Sequence, residues 1–174
     1  MNVGKPTRTL QQDIARVRYA RESLGNDVDI MVDANCTWDI LRAYDYLPYL
    51  EELNVKFLEE PFQLNSPQSY RKLASQTRIP LAGSENESSL YGFQELMDAG
   101  VYFVQPNVCR VGGPTNMRRI MTLIDLNERM FAPHSWSSII CMTANMHLMA
   151  TTRRHYMLEY DINPSTFRED LVVE

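Results

Sequence analysis

VKFLEEP, residues 55–61, decides the fold of this chain. Val55, Phe57 and Leu58 read as a strand buried among apolar groups. Glu59 and Glu60 then stand side by side, and Pro61 stops the run. Adjacent carboxylates repel and neither belongs in an apolar interior, so the strand ends where charge has a use. A polar turn follows. SPQSYRKLASQ (66–76) then reads as a helix with Ser66 as its N-cap and Pro67 at its first position. IPLAGSE (79–85) reads as the next strand.

The same unit recurs on both sides. Upstream, DIMVDAN (29–35) is a strand and TWDILRAYDYLPYLEEL (37–53) its helix. Downstream, SLYGFQELMDAG (89–100) is a helix stopped by Gly100, VYFVQPN (101–107) a strand and GPTNMRRIMTLIDLNE (113–128) a helix opened by a glycine turn. RMFAPHS (129–135) is a strand, SSIICMTANMHLMATT (137–152) an apolar helix and YMLEYD (156–161) the last strand. Met142, Met146 and Met149 follow helical spacing and are expected in the core. At the front, MNVG reads as the end of a strand. PTRTLQQDIARVRYARESLG (6–25) reads as a helix with a stripe of Leu10, Ile14 and Val17.

Strict strand–helix alternation implies parallel strands covered by helices. The polar residues that close the strands are Asp33, Glu59, Glu85, Asn107, His134 and Glu159, at steps of 26, 26, 22, 27 and 25 residues. Units this regular predict an α/β fold of the (β/α)8 TIM-type barrel rather than a doubly wound sheet, and no G-x-G-x-x-G follows the first strand. A complete barrel needs about 250 residues, and this chain has 174. The expectation is a single domain over 1–174, an incomplete barrel of six to seven βα units that lacks its first strand and an N-terminal capping domain. Its open edges would be covered by association, so a homo-oligomer is expected.

Composition narrows the function. The net charge of −5 argues against nucleic acid or an anionic membrane as partner. No apolar run approaches a membrane span, and the N-terminus lacks an apolar signal core. Cys36, Cys109 and Cys141 form no C-x-x-C pair, which fits reduced cysteines in a cytoplasmic protein. His134, His147 and His155 show no H-E-x-x-H spacing.

In βα barrels the active site lies at the C-terminal ends of the strands. Asp33, Glu59 and Glu85 fall there on three successive strands, and three converging carboxylates demand a cation. Oxygen-only donors favour Mg²⁺, with Mn²⁺ second. By strand alternation Glu60 points away from Glu59.

VDAN (32–35), EEP (59–61), AGSENE (82–87), VQPNVCRVGG (104–113) and APHSW (132–136) together resemble the enolase superfamily, mandelate racemase and muconate lactonizing branch. The pattern is most similar to the acid-sugar dehydratases and sugar-lactone cycloisomerases. The resemblance implies metal ligation by Asp33, Glu59 and Glu85, with Asn35 pointing at metal or substrate. It implies removal of the proton next to a sugar-acid carboxylate through a metal-stabilised enediolate. His134 then matches the base, with the acid that helps hydroxide leave in a dehydration as its alternative role, and Glu159 matches a residue beside the substrate carboxylate. Two departures stand out. Asn107 occupies the place of an aspartate that orients the histidine, and Asn2 falls where the second lysine of a Lys-x-Lys pair belongs. Lacking that second base, the chain suits a one-base elimination better than racemisation. The same departures support an alternative, an inactive or truncated unit serving only assembly. An unrelated metal-dependent barrel hydrolase fits less well, because only His134 among the histidines closes a strand.

Overall fold

The computed structural model describes residues 1–171. Its elements alternate as α1 Leu10–Leu24, β1 Val32–Asp33, α2 Ile40–Glu52, β2 Leu58–Glu59, α3 Pro67–Ala74, β3 Leu81–Gly83, α4 Leu90–Asp98, β4 Val101–Val104, α5 Pro114–Leu126, β5 Met130–Phe131, α6 Ile139–Met149 and α7 Thr166–Glu169. The five strands follow one another in chain order in a parallel sheet. An order without reversal is barrel topology, since a doubly wound sheet switches direction. The fold is α/β, a partial (β/α)8 barrel. Two compact units carry it: Met1–Ala82 with Asp98–Val101, and Gly83–Met97 with the chain from Tyr102 on.

In the first unit α1 begins at Leu10, where its apolar stripe begins, and not at Pro6 as read from the sequence. Thr9 and Gln12 form a capping box, each side chain bonding the other's backbone N–H, and this fixes the start at Leu10. Ile14 and Val17 are buried as expected, but Asp13 and Arg21 are buried with them. Arg21 reaches the carbonyls of Gly25, Val28, Leu53 and Asn54 at 2.7–3.0 Å, tying the end of α1 to the end of α2. Asp13 accepts from the Gly4 N–H, from Arg8 at 2.7 Å, from Arg16 at 3.2 Å and from Tyr46 at 3.1 Å. The α2 face of Tyr46, Leu47 and Leu50 packs inward, with Tyr46 against Trp38 at 4.4 Å. Ser66 contributes no side-chain cap to α3, contrary to expectation; Pro67 at the first position sets the entry. Tyr70 on α3 donates to the Phe62 carbonyl at 2.7 Å.

The expected strand tail at the front is present as a bridge. Asn2 pairs with Asp33, and Val3 N–H donates to the Asp33 carbonyl at 2.8 Å. Gly4 follows at φ +75°, and a Cβ there would stand 1.8 Å from Trp38 Nε1. Glycine is required both for the left-handed backbone and for the space.

The second unit packs Phe93, Leu96 and Met97 of α4, Phe103 of β4, Met117, Ile120 and Ile124 of α5, and Phe131 of β5. Gly113 at φ +97° precedes Pro114 and opens α5, as the glycine turn predicts. Met142 and Met149 of α6 are buried, but Met146 is exposed. Residues 156–161 form no strand. One parallel bridge joins His155 to Phe131, and Phe131 exchanges backbone bonds with Arg154 and Tyr156. The apolar alternation there is real, but its partner β5 is only two residues long.

Candidate active site

Sequence order within each unit delivers polar groups to the strand ends. In the first unit Asp33 and Glu59 are register partners on neighbouring parallel strands. Side chains at paired positions project to the same face of a sheet, so these two carboxylates stand side by side. Asp33 Oδ1 accepts the Asn35 N–H at 2.7 Å, and Oδ2 accepts Asn2 Nδ2 at 2.9 Å and the Asn35 side-chain amide. Asn2, at the position read as a lost lysine, thus holds a predicted metal ligand.

Glu60 diverges from Glu59 as strand alternation requires. It is buried, at φ +38°, and its Oε2 accepts the Cys36 thiol at 3.2 Å. Asn35, Cys36 and Glu60 all adopt left-handed backbone just past a strand, and Ser84 does so at φ +90° in the second unit. Such conformations cost energy in non-glycine residues and gather at functional sites.

Glu85 behaves differently from its spacing. The register partner of Glu59 on β3 is Ala82, so Glu85 lies three residues beyond it, in the turn after β3. Equal steps along the chain are not equal steps in register.

In the second unit His134 is the hub. Its Nε2 stands 3.0 Å from Glu85 Oε2 and 3.8 Å from Glu159 Oε2. Its Nδ1 stands 2.9 Å from Asn107 Nδ2. Arg110 Nη1 reaches Glu85 Oε1 at 3.2 Å, the Glu85 carbonyl at 3.1 Å and Asn86 Oδ1 at 2.6 Å. Glu159 Oε2 accepts the Ser135 N–H at 2.7 Å. Asn145 on α6 donates to the His134 carbonyl at 3.0 Å and to Ser135 Oγ at 2.9 Å, fixing the loop that carries the imidazole.

Burial works against charge on both partners of the central pair. It lowers the His134 pKa, yet the bond to Glu85 and the fields of Glu159 and Glu85 outweigh it and leave the net shift upward. Burial raises Glu85, yet His134 and Arg110 outweigh it and leave its carboxyl below the usual range. Burial pushes the Cys141 thiol up to about 12, which makes it a poor nucleophile.

The structure therefore places Asp33, Asn35, Glu59, Glu85, Asn107 and His134 at or just beyond strand ends, whereas Glu159 lies in 156–161, which forms no strand. It groups Asp33, Glu59 and Asn35 in the first unit, and Glu85, Asn107, His134 and Glu159 in the second. Among the described residues, no three His, Cys, Asp or Glu side chains are clustered tightly enough to hold a metal ion. The donor chemistry of Asp33, Glu59 and the Asn35 amide is oxygen only, which fits a hard cation. Sequence reasoning missed Arg110 and Asn145. The VCRVGG turn beside Asn107 signalled the first. The second is a lone amide on the apolar helix IICMTANMHLM, a pattern that also suits a surface residue. A cleft of the first unit, about 900 Å³ between Asn54–Lys56 and Ser75–Pro80, lies ahead of β2 and β3, away from the strand ends that carry chemistry in this fold. Among the described residues no helix is long and apolar enough to cross a membrane.

Comparison with known proteins adds independent observations. A model of the enolase C-terminal domain-like family matches residues 1–174. L-talarate/galactarate dehydratase of Salmonella typhimurium is 32% identical over 174 residues, covering 98% of this chain and 42% of that protein. The crystal structure of the 3,6-anhydro-D-galactonate cycloisomerase from Zobellia galactanivorans matches with a TM-score of 0.90 at 29% identity, covering 98% of this chain and 48% of that one. L-talarate dehydratase from Polaromonas sp. JS666, solved in complex with Mg and L-glucarate, matches with a TM-score of 0.82 at 31% identity, covering 91% and 43%. The chain spans less than half the length of these relatives.

Proposed function

The chain belongs to the enolase C-terminal domain-like family, and from that premise we propose that it forms the catalytic portion of a Mg²⁺-dependent enzyme acting on a sugar acid. The observation that carries this reading is the register pairing of Asp33 with Glu59 at the ends of adjacent parallel strands. Two like charges fixed side by side are costly without a cation. Asp33, Glu59 and Glu85 are assigned to the metal, with Asn35 beside the metal or substrate. Bound Mg²⁺ would take up negative charge developing on the substrate carboxylate.

The remaining roles fall to this chain's own side chains. His134 is assigned to proton transfer, as the base or as the acid that helps hydroxide leave, and is oriented by Asn107 at Nδ1 and by Asn145 at its backbone. Glu159 is assigned to the substrate carboxylate end, its own carboxylate fixed by the Ser135 N–H. Abstraction of the proton next to a carboxylate leads to dehydration or to isomerisation of a lactone. A one-base elimination fits better than racemisation, because Asn2 stands where the second lysine of a Lys-x-Lys pair belongs. We place the enzyme in the cytoplasm, with its three cysteines as thiols, and assembled as a homo-oligomer.

The test uses the full-length protein against a panel of aldonic and aldaric acids, with 2-keto acid formation as the readout. Turnover that requires Mg²⁺, together with a Mg²⁺-induced rise in melting temperature, is expected. A ligand bound only by the folded state at a hundred times its Kd stabilises by about 2.7 kcal/mol. Glu59→Gln loses both responses. A melt indifferent to Mg²⁺ in the parent protein overturns the metal assignment.

A further inference from the structure

The Asn107 amide has a defined polarity, and the polarity has a chemical consequence. Its Oδ1 accepts the Cys109 N–H at 2.9 Å, and a backbone N–H can only donate. The Nδ2 therefore faces His134 Nδ1, at 2.9 Å. An amide NH₂ donates and cannot accept, so Nδ1 of the imidazole must be the acceptor. A neutral imidazole with an accepting Nδ1 carries its proton on Nε2. That nitrogen lies 3.0 Å from an acceptor, Glu85 Oε2. The bonds run in one sense, from Asn107 through the ring to Glu85.

We propose that Asn107 is a positioning residue that locks neutral His134 as the Nε2–H tautomer, so that His134 meets the substrate as a hydrogen-bond donor. An aspartate at 107 would impose the opposite sense: its carboxylate would accept from Nδ1–H and leave a lone pair on Nε2. Turning the Asn107 amide over to imitate aspartate would set its NH₂ against the Cys109 N–H. Asn107 and His134 are 3% and 7% exposed, so water cannot relieve two opposed donors there. A neutral imidazole donating from Nε2 can stabilise a developing oxyanion, as neutral histidines do in other enolising sites. It has no lone pair at that nitrogen to take a proton, so of the two roles assigned to His134 this tautomer supports the acid that helps hydroxide leave rather than the base. The catalytic consequence rests on the function proposed above; the tautomer does not.

The experiment is long-range ¹H–¹⁵N correlation spectroscopy of the ¹⁵N-histidine-labelled protein, recorded without substrate or Mg²⁺ and with the rings neutral. Exposed His147 and His155 serve as internal references. His134 is expected to show a protonated Nε2 and a bare Nδ1, and Asn107→Asp is expected to reverse that pattern. A bare Nε2 in the parent protein overturns the proposal, and so does an Asn107→Asp protein, folded by its amide spectrum, with an unchanged His134 pattern. Should that variant fail to fold, the parent spectrum alone decides. Absence of turnover on every sugar acid would strike the proposed function and leave this result standing.

Discussion

Removing the Asp13 carboxylate is the sharpest test of how the first unit is held together. The side chain is fully buried, and it serves four donors on three segments: Gly4 N–H, Arg8, Arg16 and Tyr46. In Asp13→Ala the Gly4 N–H and the Tyr46 hydroxyl, both buried, lose their acceptor. Each unmet buried group costs about 1–3 kcal/mol. The side chains of Arg8 and Arg16 are 26% and 42% exposed, so each pair adds at most about 1 kcal/mol. The expected loss is about 3–5 kcal/mol, the range for breaking a buried charged network. For a chain of this length it lowers the melting temperature by roughly 6–20 °C. Urea and thermal unfolding followed by circular dichroism read it directly.

The same carboxylate predicts a pH signature. Burial raises its pKa, but the bonds from Gly4, Arg8 and Tyr46 outweigh burial and leave it below the ordinary value. A depressed folded pKa contributes stability that is fully present above the unfolded value, about 3.9, and is lost as pH falls through the lower folded value. The gap between parent and Asp13→Ala should therefore be widest near neutrality and close on acidification. A loss below about 1 kcal/mol at neutral pH, or a gap that widens in acid, refutes the reasoning.

Two further outcomes follow from packing. Gly4→Ala forces a side chain into buried Trp38 and demands a left-handed backbone from alanine. It should cost about 2–5 kcal/mol from overpacking and backbone strain together, and an unchanged urea midpoint would show the N-terminal segment to be free to move. Tyr70→Phe removes the 2.7 Å bond to the buried Phe62 carbonyl and nothing else of size. The expected loss is about 1–2 kcal/mol in the same assay, with the m-value unchanged.

Much of the fold was legible because its cues are local. The apolar runs at Val32, Leu58, Leu81, Val101 and Phe131, the helical stripes between them, and punctuation by Pro67, Gly100 and Gly113 gave five strands and six helices in the right order. Helix ends shifted where side chains bond locally, as Thr9 and Gln12 do. The predicted strand at 156–161 failed because strand formation depends on a partner, and β5 offers one only two residues long. The site was legible as a set of residues but not as a geometry. Counting placed Asp33, Glu59 and Glu85 at even intervals, yet register separates the third from the pair by three positions. The role of Asp13 was hidden because a charge beside an apolar stripe looks like a rim residue until its donors, from Gly4 to Tyr46, are assembled around it.

The neighbouring glutamates of β2 pose a question of alignment. Phe57 and Leu58 are both buried, at 5% and 0% exposed, because both faces of this strand are covered. Hydrophobic alternation is then a weak guide to pairing, since sliding the strand by one residue would bury as much carbon as before. Such a slide would trade Glu60 for Glu59 on the face of Asp33 and send Glu59 toward the Cys36 thiol. What forbids it is the chain beyond the strand. The Glu60 carbonyl accepts the Cys36 N–H at 2.7 Å, the Pro61 carbonyl accepts the Trp38 N–H at 3.1 Å, and Glu60 is bent into left-handed backbone. The turn is the lock on the strand's alignment. Engineering that lengthens or relaxes residues 60–62 would leave the core intact while exchanging which glutamate the site receives.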